Sequence, residues 1–555
     1  MNDDSTTALP RAAPGRLHGH AAGLAFELLW FALLALPALA TQPDLPSIDE
    51  TSLWLLAGPF WLMLCMRLLF PQRGFFVATF PLAAFGVLFM GAWAMRNADL
   101  FDLALQWRTF TRDEVESALM PYARLATGST VLVAALCWAA WRCAVPRPRH
   151  LRSGVLGLLG ALAVSQALPP SAALQVWPIE PVLVTAAVAT DSRWLANRLY
   201  PEAATANPRD PDASWHASRV TDAPALETVV LILGESVRND YLHECGGPAR
   251  VRQVAAGAAV ACDVVSGADE TSTSIPLLIS REMPGHRVRV SSDGTVLAAL
   301  REAGYETYWY GVQSRDIAWP DAQHQIIMAG NTPDRMLIAP MSDALQQPAK
   351  LKAIVLHAYN AHYPFCDRFD PAQAPYRADC GPLGRRWGDR TRIADMRRSY
   401  ADAMDASIGF LDDVIAHLRQ RTEPVFMLYS PDHGEGLMDD GREIVSHARR
   451  PPTRWDTHVP AIFWANDEWR RTHAPQWANL VSQMDKPLMH MDMVPTLLDA
   501  AGVRYDEPRT LPVDLLARTV PPRRRTVQEA LGQSVDWQLL SDEARAAGAG
   551  PSGER

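Results

Sequence analysis

Val229-Val-Leu-Ile-Leu-Gly-Glu-Ser236 decides the fold. Five apolar residues run without a polar break and stop at Gly234-Glu235. A continuous aliphatic and β-branched run of this length reads as a strand buried on both faces, as in a parallel sheet. A carboxylate just past such a strand sits where open α/β sheets hold their ligands. The same grammar recurs downstream. Lys352-Ala-Ile-Val-Leu-His357 ends in histidine, and the apolar run after Pro424 ends in Asp432-His433. Thr457-His-Val-Pro-Ala-Ile-Phe-Trp464 carries His458 at its start. Four core-like runs with metal-capable groups at one end point to a metal site on the rim of an α/β sheet.

The chain has 555 residues and a formal net charge of -9. That is too long for one core, and it carries no basic footprint for nucleic acid. The first 175 residues are strongly apolar, and the remainder reads as a soluble domain. Segments 23–40, 52–70, 75–95, 129–145 and 155–174 each approach the roughly 20 residues a bilayer requires. Arg11 and Arg16, then Arg67 and Arg73, then Arg142, Arg147, Arg149 and Arg152 flank them, which by the positive-inside rule sets those regions in the cytoplasm. Everything after the fifth span is then extracytoplasmic. Ala38-Leu-Ala40 also resembles a signal-peptide cleavage site, but the polar leader is long and four spans follow. Residues 96–127 read either as an amphipathic surface helix or as a plain loop. The expected organisation is a cytoplasmic segment 1–22, a five-helix membrane domain 23–175, a linker 176–222, an α/β domain 223–515 and a tail 516–555.

Cys245, Cys262, Cys366 and Cys380 fall in the soluble part, and an even number in an oxidising compartment reads as disulfides. Three pairings are open. Cys245–Cys262 and Cys366–Cys380 each close a short local loop. Glu270-Thr-Ser-Thr-Ser-Ile-Pro276 places hydroxyls before an apolar helical run. Alone it reads as a helix cap, but a helix start also offers N–H groups and a positive dipole end to a phosphate. Gln313-Ser314 ends another strand. His357 and His362 bracket a turn. Ser430-Pro-Asp-His-Gly-Glu-Gly436 supplies a carboxylate and an imidazole side by side, a donor set that suits zinc, with Glu435 beside it and His447 following.

Taken together, these motifs resemble the alkaline phosphatase superfamily, and within it the membrane-bound phosphoethanolamine transferases of Gram-negative envelopes. The resemblance rests on Gly234-Glu235-Ser236, Thr271 to Pro276, His357 to His362, Asp432-His433-Gly434-Glu435 and Thr457-His458-Val459-Pro460, with five spans ahead of them. It implies an alkaline-phosphatase-like (sulfatase-like) periplasmic domain on an inner-membrane anchor. It implies one tightly bound zinc on Glu235, Thr271, Asp432 and His433, and leaves a second ion open. The family pattern sets the nucleophile five residues before a proline, which selects Thr271 over Thr273. His362 and His458 are then the proton-handling groups, and Glu435, His357, Gln313 and His447 face the substrate. The implied donor is phosphatidylethanolamine. The implied acceptor is lipid A, lipopolysaccharide core or another envelope glycan, and the protein is expected to be a monomer. Asp269-Glu270 ahead of the nucleophile and Val312-Gln-Ser-Arg-Asp316 depart from the lipid A branch, which leaves the acceptor open.

A phosphoglycerol transferase or phosphodiesterase would differ only in the donor head group. A sulfatase fits less well, because the Cys-x-Pro-x-Arg pattern is missing. A membrane sensor with a decayed hydrolase domain would not retain all four ligand types.

Overall fold

The structure is a computed structural model. It describes residues 25–34, 50–96, 112–143, 150–165, 183, 214–220 and 227–540, the last with gaps at 286–293, 314–320, 329–331, 381–391, 440–444, 448–451, 507–511 and 529–533. Two compact units divide the chain, residues 1–105 with 119–204 and residues 106–118 with 205–555.

The helices of the N-terminal half are 25–34, α1 (Glu50–Leu69), α2 (Gln72–Arg96), α3 (Arg112–Cys143) and α4 (Leu151–Ser165). Trp30, Met63, Phe75, Phe76 and Val133 form a buried cluster, and Trp30 Nε1 donates to Thr79 Oγ1 at 2.8 Å. Arg67 pairs with Glu27. Outside the cluster the surface is apolar: Leu29, Trp61, Val131, Trp138, Leu156 and Leu162 are all exposed. Among the described residues no helix is long and apolar enough to cross a membrane. The expected span ends at 35–40, 144–145 and 166–174 lie outside the described residues. α3 begins at Arg112 and runs without a break into the expected fourth span, so the second half of the segment read as a surface helix or loop is one helix with that span.

The C-terminal unit is built on an eight-stranded sheet. Its strands in chain order are β1 (Glu227–Gly234), β2 (Ala259–Val265), β3 (Glu306–Gly311), β4 (His324–Ile327), β5 (Leu351–His357), β6 (Val425–Pro431), β7 (His458–Ala465) and β8 (Leu488–Met489). The spatial order is β8-β2-β7-β6-β1-β5-β3-β4. All neighbours pair in parallel except β7, which is antiparallel to both β2 and β6. That reversal explains the sequence pattern: His458 begins its strand, yet lies at the same sheet edge where β1, β5 and β6 end.

The stretch 229–233 is β1, buried on both faces. Val229, Leu231 and Leu233 point into one core and Val230 and Ile232 into the other, as the two-residue period of a strand requires. The first core is closed by α5 (Thr271–Ile279), α6 (Val296–Glu302) and α9 (Met493–Ala500), the second by α7 (Ile338–Gln346) and α8 (Ile393–Leu418). Each β1 side chain removed from water stabilises the fold by about 1.5–3 kcal/mol. Disulfides join Cys245 to Cys262 and Cys366 to Cys380, the two local pairings.

At the opposite end of β1, Glu227 is fully buried. Its Oε2 accepts from Tyr305 Oη and Arg219 Nη2, both at 2.8 Å, while Oε1 has no hydrogen-bond partner among the described residues. Burial outweighs these two partners and pushes the carboxyl from 4.5 up to about 7. Below about pH 4.5 it is neutral in folded and unfolded chains alike. Between there and about pH 7 only the unfolded chain gives up the proton, so stability falls as pH rises and then levels off. At 1.36 kcal/mol per unit the effect is on the order of 3 kcal/mol. Glu227→Gln should flatten this fall, read as the difference in denaturant midpoint between pH 5 and pH 8. An unchanged pH slope would refute the assignment.

Candidate metal centre

Three chain segments meet at the carboxyl end of the central strands. Glu235 follows β1 directly, Asp432 and His433 follow β6 directly, and Thr271 opens α5. Two glycines let the backbones close. A Cβ on Gly234 would lie 2.4 Å from Tyr429 Oη and 2.6 Å from Asn360 Oδ1, and one on Gly434 would lie 2.1 Å from the Trp455 carbonyl oxygen. The turn after β1 is pinned by Asp432 N–H donating to the Gly234 carbonyl at 3.0 Å.

Thr271 Oγ1 donates to Glu235 Oε2 at 3.1 Å and stands 3.2 Å from His433 Nε2. The same nitrogen is 3.4 Å from Glu235 Oε1 and 3.4 Å from Asp432 Oδ2. His433 Nδ1 donates to the Gly434 carbonyl at 2.7 Å, which leaves the Nε2 lone pair facing this cluster. Asp432 Oδ1 accepts two backbone N–H groups, Ser236 at 3.2 Å and His433 at 2.7 Å. Its Oδ2 is buried with no hydrogen-bond partner among the described residues. Thr273 turns the other way and gives its hydroxyl to Glu270.

One ligand atom each from Glu235, Asp432 and His433 lies within 4.8 Å of the others, and all three residues are buried. Such a group cannot keep its ordinary charges. Burial would raise Glu235, but His433, His362 and His447 hold it below the usual carboxylate range. Burial and the Glu235 charge together lift Asp432 well above that range. Burial works against charge on His433, yet Asp432 and Glu235 draw it up to about 9. Protons are thus drawn to the point where Nε2, Oε1 and the orphaned Oδ2 converge, the place a cation would take. Two carboxylates, an imidazole and a hydroxyl are a donor set that fits zinc.

Gln313 Nε2 donates to Glu235 Oε2 at 2.9 Å and to the Ala358 carbonyl at 3.2 Å, so it orients the carboxylate. His447 lies tilted against His433 with ring centroids 4.2 Å apart, and its Nδ1 is 3.2 Å from Glu435 Oε2. His362 stands 5.9 Å from His447 and stacks on Tyr359 at 4.7 Å. His357 is buried at the end of β5, with Trp309 edge-on at 5.7 Å, and burial lowers it to about 4 despite Glu235. His458 belongs to another group: its Nε2 is 3.0 Å from Asp263 Oδ1, which also takes Arg525 Nη1 at 2.7 Å. His458, expected with His362 as a proton-handling group, thus lies against Asp263, and the ring next to His362 is that of His447.

Several supporting residues escaped the sequence reading. His490 lies buried behind the cluster. It accepts the Gly267 N–H on Nδ1 at 3.2 Å and reaches Ser430 Oγ with Nε2 at 3.2 Å, and burial lowers it to about 3. Ser274 Oγ donates to the Asp432 carbonyl at 2.5 Å. Arg238 is 2% exposed, clamps Asp240 and Asp439, and donates to the Glu435 carbonyl at 3.2 Å. Ser236 closes the opening motif and Arg238 lies two residues beyond it, where nearness to Glu235 was a usable signal.

Residues 227–503, from the start of β1 to just past α9, match the Sulfatase family profile. The chain is 26% identical over 303 residues to Kdo(2)-lipid A phosphoethanolamine 7''-transferase of Salmonella typhimurium, covering 49% of this chain and 51% of that protein. The chain carries a Sulfatase-family domain and is similar to phosphoethanolamine transferases. It spans about half the length of the curated relatives it matches. Among family structures, the C-terminal periplasmic domain of Escherichia coli EptC, crystallised in complex with Zn, superposes with a TM-score of 0.51 at 18% identity, covering 59% of this chain and 97% of that one. The integral membrane protein lipooligosaccharide phosphoethanolamine transferase A from Neisseria meningitidis reaches a TM-score of 0.56 at 16% identity, covering 88% and 95%. These two likenesses are of fold.

Proposed function

We propose that the protein is a zinc-dependent enzyme that moves phosphoethanolamine from phosphatidylethanolamine to an envelope glycolipid or glycan through a covalent intermediate on Thr271. One observation carries the reading. The Thr271 hydroxyl opens a helix and lies within 3.2 Å of both Glu235 and His433, where metal and phosphate would meet. The relative that acts on Kdo(2)-lipid A and the EptC domain crystallised with Zn support it.

Glu235, Asp432, His433 and the Thr271 oxygen would hold the ion. Zinc, when bound, supplies a Lewis acid that polarises a phosphoryl oxygen and acidifies the Thr271 hydroxyl. Thr271 Oγ attacks phosphorus, the bond to the diacylglycerol oxygen breaks, and that oxygen takes a proton as diacylglycerol leaves. In the second step an acceptor hydroxyl or phosphate attacks the same phosphorus, the Thr271 Oγ–P bond breaks, and Thr271 regains its proton. His362 and His447, beside His433, are the residues placed to move these protons. Gln313 keeps Glu235 aimed at the nucleophile throughout.

The apolar surface of the N-terminal helices supports a membrane-embedded half, because side chains such as Trp138 and Leu156 have no reason to face water. With the charge pattern of the loops, this supports a periplasmic catalytic unit on an inner-membrane anchor of five spans.

Incubating the purified full-length protein with phosphatidylethanolamine and no acceptor should add the mass of phosphoethanolamine to a peptide containing Thr271. A phosphoglycerol mass on the same peptide from phosphatidylglycerol would favour the phosphoglycerol reading. An adduct on Thr273 would overturn the nucleophile.

A further inference from the structure

Ser236, the residue after Glu235, has φ of 56°. That left-handed conformation is unfavourable for any residue with a Cβ, so something must hold it. The hold comes from α8. Tyr400 is fully buried there, with Tyr241 edge-on at 4.7 Å and Phe365 at 5.0 Å. Its hydroxyl donates to the Ser236 carbonyl at 2.6 Å and accepts the Arg238 N–H at 3.0 Å. One oxygen therefore ties both ends of the turn.

The turn so held touches both carboxylates of the metal centre. Ser236 N–H donates to Asp432 Oδ1 at 3.2 Å, and Ser236 Oγ donates to Glu235 Oε1 at 2.8 Å. With the His433 N–H, the first bond saturates Oδ1 and leaves Oδ2 for the ion. We propose that Tyr400, acting through Ser236, is a positioning residue that selects which carboxylate oxygens face the metal and so sets metal affinity. The inference rests on the metal reading above. Tyr400 touches neither carboxylate; it acts only through the turn.

The test is zinc affinity of the full-length protein in detergent, measured by competition with a chromophoric chelator. Tyr400→Phe keeps the ring and its packing and should weaken zinc binding by about 10–100-fold, as loss of an outer partner of a metal ligand does. Excess zinc should restore most of kcat, which a packing lesion would not allow. In a Ser236→Gly background the turn no longer needs a clamp, so Tyr400→Phe should cost less than about threefold there. Equal losses in the two backgrounds, or an affinity within about twofold of wild type for Tyr400→Phe, would overturn the proposal. Should Tyr400→Phe fail to fold, Ser236→Ala reports instead, with an expected loss of about tenfold; unchanged affinity there would also overturn it. A wild type that binds no zinc would remove the metal reading and this inference together. A wild type that binds while Tyr400→Phe matches it removes this inference alone.

Discussion

Thr271→Ala should abolish transfer, with turnover down by about a thousandfold or more, while the protein still folds and retains some zinc. The substitution removes the attacking oxygen, and neither neighbouring hydroxyl on α5 replaces it. Ser272 and Thr273 both give their hydroxyls to Glu270, away from the cluster. Glu235, Asp432 and His433 remain, so metal content should fall only in part. Thr273→Ala makes the contrast: it loosens the helix cap and should cost a few-fold at most. Product release from a labelled donor, with zinc content by elemental analysis on the same samples, separates the two effects. A Thr271→Ala protein with near-normal turnover would overturn the assignment.

Asp432→Ala should cost more than a ligand. It removes the orphaned Oδ2 that the ion needs, and it strips the acceptor from the Ser236 and His433 amides, leaving two buried donors unpaired. Zinc affinity should fall by at least about a hundredfold, and transfer should vanish at ordinary zinc levels. His433→Ala should behave similarly, since Nε2 is the point on which the hydroxyl and both carboxylates converge. Full zinc content in purified Asp432→Ala would sink the proposed ligand set.

The strands were legible because each central one is a pure apolar run with a marked end. Val229–Leu233 alternates between two cores, as do the neighbouring runs Ala353–Leu356 and Val425–Tyr429. The ends were legible too, since Glu235, Asp432 and His433 interrupt such runs abruptly. The partner of His362 was not. His447 and His458 both follow Asp432 in sequence, and only the return of the chain near residue 447 brings one ring beside His433. Arg525, the second partner of Asp263, is 262 residues away along the chain and gives no local sign of that role. Tyr400 was hidden for a related reason. It lies 164 residues from Ser236 inside an amphipathic helix, where a buried tyrosine reads as core. The apolar N-terminal helices were legible by composition, but α3 shows that a polar stretch need not break a helix.

β1 lies at the middle of the sheet, and its two neighbours come from far along the chain. Leu351–His357 supplies one side and Val425–Pro431 the other. A growing chain reaches the second partner only about 200 residues after β1, on the order of 10–40 s at the usual pace of synthesis of about 5–20 residues per second. For that interval a strand with the apolar run Val229–Leu233 has at least one open edge, a template for wrong pairing. Glu235 is made first and His433 last, so the proposed ion has no site to occupy until the sheet is nearly complete. Metal loading is then a report that the catalytic half has been finished correctly, and chains that stall before residue 432 should accumulate as metal-free, aggregation-prone species.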